Sequence, residues 1–147
     1  MENIENPSAT ATDERTAAAR IYVEWDHALA NGDVDALLAC YADDAILESP
    51  LVPHLLGKNE GICRGRAELR RLFEAVAERK PKLRRHYRPG YFTDGKTLMF
   101  EYPRDAPTGE QMDFVEVMHL RAGLIQYHKV YWGWRGAQVL GEDAYRS

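Results

Sequence analysis

The sequence predicts an α+β fold, and three observations carry that prediction. Apolar residues recur at helical spacing through the first half of the chain. From about residue 82 the period shortens to two. The segments of the second half are joined by short, turn-forming separators. Three helices and one early strand, then a run of strands, is an α+β order and not an alternating βαβ one. Short connections between consecutive strands imply an antiparallel meander.

Residues 1–12, with the small polar string NPSATAT, read as a disordered lead-in. Asp13 opens the first helical pattern. Ile21, Trp25, Ala28 and Leu29 share one stripe, Tyr22 lies at its border, and Asn31-Gly32 ends it. Asp33 can cap a second, short helix with apolar positions Val34, Leu37, Leu38 and Tyr41. AILES (45–49) is a short strand stopped by Pro50. Residues 50–65, rich in Pro and Gly, read as a long loop, which in a compact domain is more often functional than idle. The third helix spans about 66–80 with Leu69, Leu72, Phe73 and Val76 as its apolar face, and Pro81 ends it. Strands follow over 82–92, 97–102, 111–120 and 124–134, separated by Asp94-Gly95, PRDAPTG and Arg121-Ala122-Gly123. One domain over 13–136 with a tail over 137–147 accounts for the pattern.

Bulk properties narrow the function. A chain of 147 residues favours one domain and is long enough for a core without disulfides or metal. A net charge of −4 argues against wholesale nucleic-acid binding. No apolar run is long enough to span a bilayer, and the N-terminus has no secretory apolar core. Cys40 and Cys63 form no C-x-x-C, which fits reduced thiols in a cytoplasmic protein. The five histidines (27, 54, 86, 119, 128) are scattered, so no metal site is expected, and no phosphate loop or nucleophile elbow suggests a cofactor or an acyl-enzyme. Lys80, Lys82, Arg84, Arg85 and Arg88 form a basic run that strand alternation splits; it reads as a solvated sheet side or a dimer contact.

The strand faces carry the chemistry. One face of MDFVEVMHL holds Met112, Phe114, Glu116, Met118 and Leu120, so Glu116 interrupts an apolar surface. A lone buried carboxylate costs several kcal/mol unless paired, hydrogen-bonded or protonated, and such a group suits acid/base catalysis. The bland alternatives are a pairing with an arginine or a face less buried than it looks. In LIQYHKVYWGW one face holds His128, Val130, Trp132 and Trp134, the other Tyr127, Lys129, Tyr131 and Gly133. If the last two strands form a hairpin, Glu116 and His128 share a surface and can exchange protons near neutral pH. The bland alternative for His128 is a core histidine bonded to backbone.

The strings NGDVDALLACYADDAILESP, RGRAELRRLF, DFVEVMHL and Tyr131-Trp132 resemble, in this order, the nuclear transport factor 2-like superfamily, especially its SnoaL-like and ketosteroid isomerase-like members. The resemblance covers about residues 13–134. It implies a cone: a strongly curved antiparallel sheet wrapped by three N-terminal helices around a pocket, a cystatin-like α+β roll. It also implies a homodimer through the outer sheet face. Of three residues that ketosteroid isomerases use, the oxyanion Tyr position is Trp25, the proton-transferring Asp position is Ser49, and the protonated Asp position is Glu116. Ser49 cannot replace a base, so steroid isomerase activity is not expected. SnoaL-like cyclases keep an acid in an H-x-D-x-W pattern, and here His128 and Trp132 flank Val130.

The combined expectation is a small, largely apolar or aromatic organic molecule held in the cone, with no nucleic acid and no membrane as partner. Glu116 and His128 are the candidate acid/base residues. Trp25, Tyr41, Ser49, His54, Phe73, Tyr102, Phe114, Met118, Val130 and Trp132 are the candidate pocket. Isomerase, cyclase, dehydratase or hydrolase chemistry fits this set. The alternative is a non-catalytic ligand-binding or dimerisation module on the same fold.

Overall fold

In a computed structural model the chain is described over residues 7–79, 90–105 and 111–142, with residues 7–10 as backbone alone. Helix α1 (Pro7–Asn31) begins inside the stretch expected to be a tail. Pro7 suits a first helical position, because the N–H it lacks would have no intrahelical partner there. The small residues after it continue the helix into the expected stripe, and Ala18, Ile21, Trp25 and Ala28 are buried. Gly32 ends α1 in the left-handed region, with φ 63°. Asp33 caps α2 (Val34–Ala39) by accepting the Ala36 N–H at 3.0 Å.

Cys40 is the C-cap of α2, so Tyr41 is not helical as expected but opens β1 (Tyr41–Glu48). The stretch 50–65 is also more ordered than a loop. It forms α3 (Leu51–Leu56), closed by Gly57 at φ 66°, and the short strand β2 (Ile62–Arg64), which pairs with β1. Helix α4 (Gly65–Glu78) buries Leu69, Leu72, Phe73 and Val76, the face the sequence predicts. Its start is held by Glu68, whose Oε2 accepts from Arg64 N–H at 2.7 Å and from Lys58 Nζ at 2.8 Å. These contacts, that with Lys58 foremost, hold the Glu68 carboxyl below its usual range.

The remaining strands are β3 (Phe92–Thr93), β4 (Thr97–Asp105), β5 (Gln111–Arg121) and β6 (Leu124–Trp132). Most of the expected strand 82–92, and the basic run with it, lies outside the described residues. The sheet order is β2-β1-β6-β5-β4-β3. All neighbours are antiparallel except β1 and β6, so the sheet is a meander joined by one parallel strand. Strand β4 runs on through Pro103, where among the described residues it pairs with β5 alone, a place that tolerates a residue without an N–H. Strand β6 stops at Trp132. Trp134, expected on its inner face, instead opens α5 (Trp134–Gly141) and is 79% exposed. Helix α5 also occupies much of the expected C-terminal tail.

The inner sheet face buries Leu98, Phe100, Tyr102, Met112, Phe114, Met118 and His128. Helix α1 closes over β4, where Trp25 and Tyr22 meet the Phe100 ring edge-on at 5.7 and 5.1 Å. The outer face leaves Met99, Glu101, Asp113, His119 and Tyr131 exposed. Among the described residues no helix is long and apolar enough to cross a membrane.

Candidate active site

The hairpin β5–β6 sets Met118 opposite His128 and Glu116 opposite Val130. Glu116 and His128 are therefore diagonal neighbours on the inner face, close enough to bond. His128 Nε2 lies 2.6 Å from Glu116 Oε2. Tyr102 stands on β4, where Tyr102 pairs with Phe114 and Phe100 with Glu116, and donates its O–H to Glu116 Oε1 at 2.6 Å. Glu116 thus pairs with a phenol and an imidazole, not with the arginine considered from sequence.

On its far side His128 meets a side chain rather than backbone. Its Nδ1 lies 2.8 Å from Tyr41 Oη, and Trp25 Nε1–H donates to that same oxygen at 3.0 Å. The indole can only donate, so the Tyr41 oxygen accepts from it and has its own proton for Nδ1. Nε2 then carries the imidazole hydrogen and donates to the Glu116 carboxylate. The result is one buried chain, Trp25–Tyr41–His128–Glu116–Tyr102, that crosses from α1 through β1, β6 and β5 to β4. Glu116 is 3% and His128 1% exposed, so these bonds act in a low-dielectric interior. Burial pushes the Tyr41 phenol well above the usual tyrosine range.

This chain forms one wall of a cavity of about 60 Å³. The volume has room for roughly four or five water molecules. Of the residues expected in a pocket, Trp25, Tyr41, Ser49, Phe73, Tyr102, Phe114, Val130 and Trp132 line it, together with Glu116 and His128. His54, half-buried on α3, and Met118, fully buried on β5, do not line it. Ser49 Oγ accepts the Leu51 N–H at 3.2 Å and so serves the start of α3. Glu48 faces the opposite side, as alternation requires, where it accepts from Tyr127 Oη at 2.7 Å. Among the described residues that line the cavity, Glu116 is the one carboxylate.

Sequence reasoning missed Arg104. It lines the cavity, is 7% exposed, and sets its guanidinium carbon 5.6 Å from the Phe114 ring centroid. Pro103 hid it by marking the stretch as a turn; the usable signal was Tyr102-x-Arg104 at strand spacing. Gly136 was missed as well. A Cβ there would come within 2.8 Å of Trp132 Cε3, so the glycine lets α5 seat the ring that walls the cavity. Cys40 and Cys63 are buried free thiols; burial raises Cys63 and, with Glu24, pushes Cys40 up to about 11, so neither is an activated nucleophile. Among the described residues no three His, Cys, Asp or Glu side chains cluster to hold a metal ion.

An α+β domain with N-terminal helices, a six-stranded and mostly antiparallel sheet, and a buried Glu116–His128 contact lining its cavity is the class of protein that these features define. The SnoaL-like domain model matches residues 12–128, and the chain belongs to that family. A SnoaL-like protein of unknown function from Burkholderia thailandensis superposes with TM-score 0.68 at 19% identity, over 80% of this chain and 95% of that one. A protein from Kribbella flavida superposes at 0.67 with 16% identity, over 88% and 93%. A steroid delta-isomerase from Pseudomonas aeruginosa superposes at 0.65 with 18% identity, over 88% and 90%. Likeness at this identity speaks for the fold. No curated protein matches the sequence.

Proposed function

We propose that the protein binds a compact, largely apolar organic molecule in this cavity and moves a proton on it through Glu116, with His128 as partner. The observation that carries the reading is the buried 2.6 Å contact between His128 Nε2 and Glu116 Oε2 inside an aromatic-lined cavity. A carboxylate that accepts from two hydrogen-bond donors in a buried site is aimed without reorganisation. It takes a proton from an acidic C–H or O–H of the ligand and returns it at a second position, so no net proton is consumed. Tyr102 and His128 share the charge in the resting state. Tyr41 and Trp25 act as positioning residues that fix the imidazole tautomer. One acid/base pair suffices for an isomerisation or tautomerisation. The position of the second base is occupied by Ser49, whose hydroxyl serves the Leu51 N–H.

Native mass spectrometry of the protein after exposure to a metabolite mixture tests this reading, followed by exchange of the captured molecule in heavy water. Capture with deuterium incorporation that Glu116→Gln abolishes is the expected result. Capture with no exchange in either protein sinks the proton-transfer reading. It would leave the second one, a non-catalytic binding module, which the complete internal pairing of the Glu116 carboxylate favours. A homodimer fits the outer sheet face, where Met99 is 41% and Tyr131 52% exposed. Light scattering on the purified chain distinguishes it from a monomer.

A further inference from the structure

Ser49 is a buried polar group that the proton-transfer reading does not use. It is 4% exposed and lines the same cavity as Glu116. Its backbone is pinned on both sides: the Ser49 N–H donates to the Gly61 carbonyl at 2.8 Å, and the Ser49 carbonyl accepts the Val52 N–H at 3.1 Å. Its hydroxyl oxygen accepts the Leu51 N–H at 3.2 Å. Among the described residues that is the one bond this hydroxyl makes, and it makes it as acceptor. A serine hydroxyl also carries a hydrogen to donate, and a buried donor left without an acceptor is costly.

The register of the sheet places this donor relative to the acid/base pair. Strand β1 ends at Glu48, which pairs with Lys129, so Ser49 comes next, beside Val130. Val130 in turn pairs with Glu116. Ser49 and Glu116 therefore stand two strand spacings apart, about 10 Å, on either side of Val130. All three line the cavity, so a compact molecule lying over Val130 meets Glu116 at one end and the hydroxyl at the other. Leu47 and Leu51, two residues to either side of Ser49, line the cavity too and add no polar side chain. One neutral donor balances no net charge, so its match is an uncharged oxygen with free lone pairs. Resting on the binding role proposed for this cavity, we infer that Ser49 selects the ligand: its hydroxyl donates to an uncharged oxygen acceptor on the molecule whose other end lies at Glu116.

Cyclohexanone and methylenecyclohexane, which share a shape and differ in a carbonyl oxygen against a CH₂ group, test the inference. The indole signals of Trp25 and Trp132, both on the cavity wall, read binding of either probe in an NMR titration. Water holds the ketone more strongly than the alkene, so the informative quantity is the change in their affinity ratio on substitution. Ser49→Ala should weaken ketone binding by about fivefold, the usual weight of one neutral hydrogen bond, and leave alkene binding as it was. Equal weakening of both probes would assign Ser49 a purely structural role and overturn the inference. An unchanged affinity for both overturns it as well, and in either case the binding role of the cavity stands. Binding of neither probe to the natural protein overturns both readings. Should Ser49→Ala fail to fold, Ser49→Cys decides: its thiol is a weak donor, so the ketone should lose ground against the alkene, and an unchanged ratio overturns the inference.

Discussion

The two faces of the sheet carry the same chemistry in two environments. Inside, Glu116 meets a tyrosine and a histidine, both at 2.6 Å. Outside, Glu48 meets Tyr127 at 2.7 Å and Lys129 at 3.5 Å. The two sets are chain neighbours: His128 lies between Tyr127 and Lys129, and Leu47 pairs with His128 where Glu48 pairs with Lys129. Side-chain exposure separates them, at 4% and 1% for Glu116 and His128 against 40% and 35% for Glu48 and Lys129. Geometry alone would rank the sets alike. Burial gives the inner one its value, because a donor lost there cannot be replaced by water.

Breaking the inner set should cost most. Glu116→Ala removes the acceptor of two buried donors and leaves a void, so a loss of about 3 kcal/mol or more is expected in urea unfolding. Glu116→Gln preserves the shape and should cost less, about 1–2 kcal/mol. Next comes Gly136→Ala, which drives a methyl into Trp132 and should cost about 1–3 kcal/mol while distorting the aromatic wall, seen as a changed tryptophan spectrum. Tyr41→Phe removes the bond to His128 Nδ1 and leaves the Trp25 N–H without its acceptor; about 1–2 kcal/mol is expected in the same assay. Glu48→Gln, on the outer face, should not move the unfolding midpoint measurably.

Titration sharpens the contrast at its smallest effect. The hydrogen bond to Glu48 raises the Tyr127 pKa, and burial raises that of Tyr41. A raised folded-state pKa contributes stability below the unfolded-state value that is lost as pH rises through the folded one, here above the ordinary tyrosine range near 10. Phenolate absorbance should thus show Tyr127 titrating in the folded protein, at lower pH once Glu48→Gln removes the carboxylate. Tyr41 should ionise only on unfolding. If Tyr41 titrates reversibly along with the surface tyrosines, the inner set is wetter than its burial indicates.

Much of the inner set was legible because strand alternation is rigid. Once 111–120 and 124–134 were read as strands, Glu116 and His128 had to share a face. The stripes of α1 and α4 were legible for the same reason at period 3.6. What was not legible depended on where elements end. Tyr41 continues the apolar spacing of α2, and only the cap at Cys40 moves it to β1. Pro103 looks like a turn residue, yet β4 continues through it and carries Arg104 to the cavity. Trp134 fits the alternation of β6 and leaves it because Gly133 turns the chain into α5. The parallel pairing of β1 with β6, which brings Tyr41 to His128, is a long-range contact with no local signature.

The central claim is that His128 and Glu116 form a working pair open to a ligand in the cavity. Nitrogen-15 NMR of the histidine rings tests it most directly. The account predicts that His128 carries its hydrogen on Nε2, and that a molecule captured from the metabolite mixture shifts the His128 ring signals while those of the exposed His27 and His119 stay put. A hydrogen on Nδ1, or a His128 signal indifferent to a ligand that demonstrably binds, would contradict it.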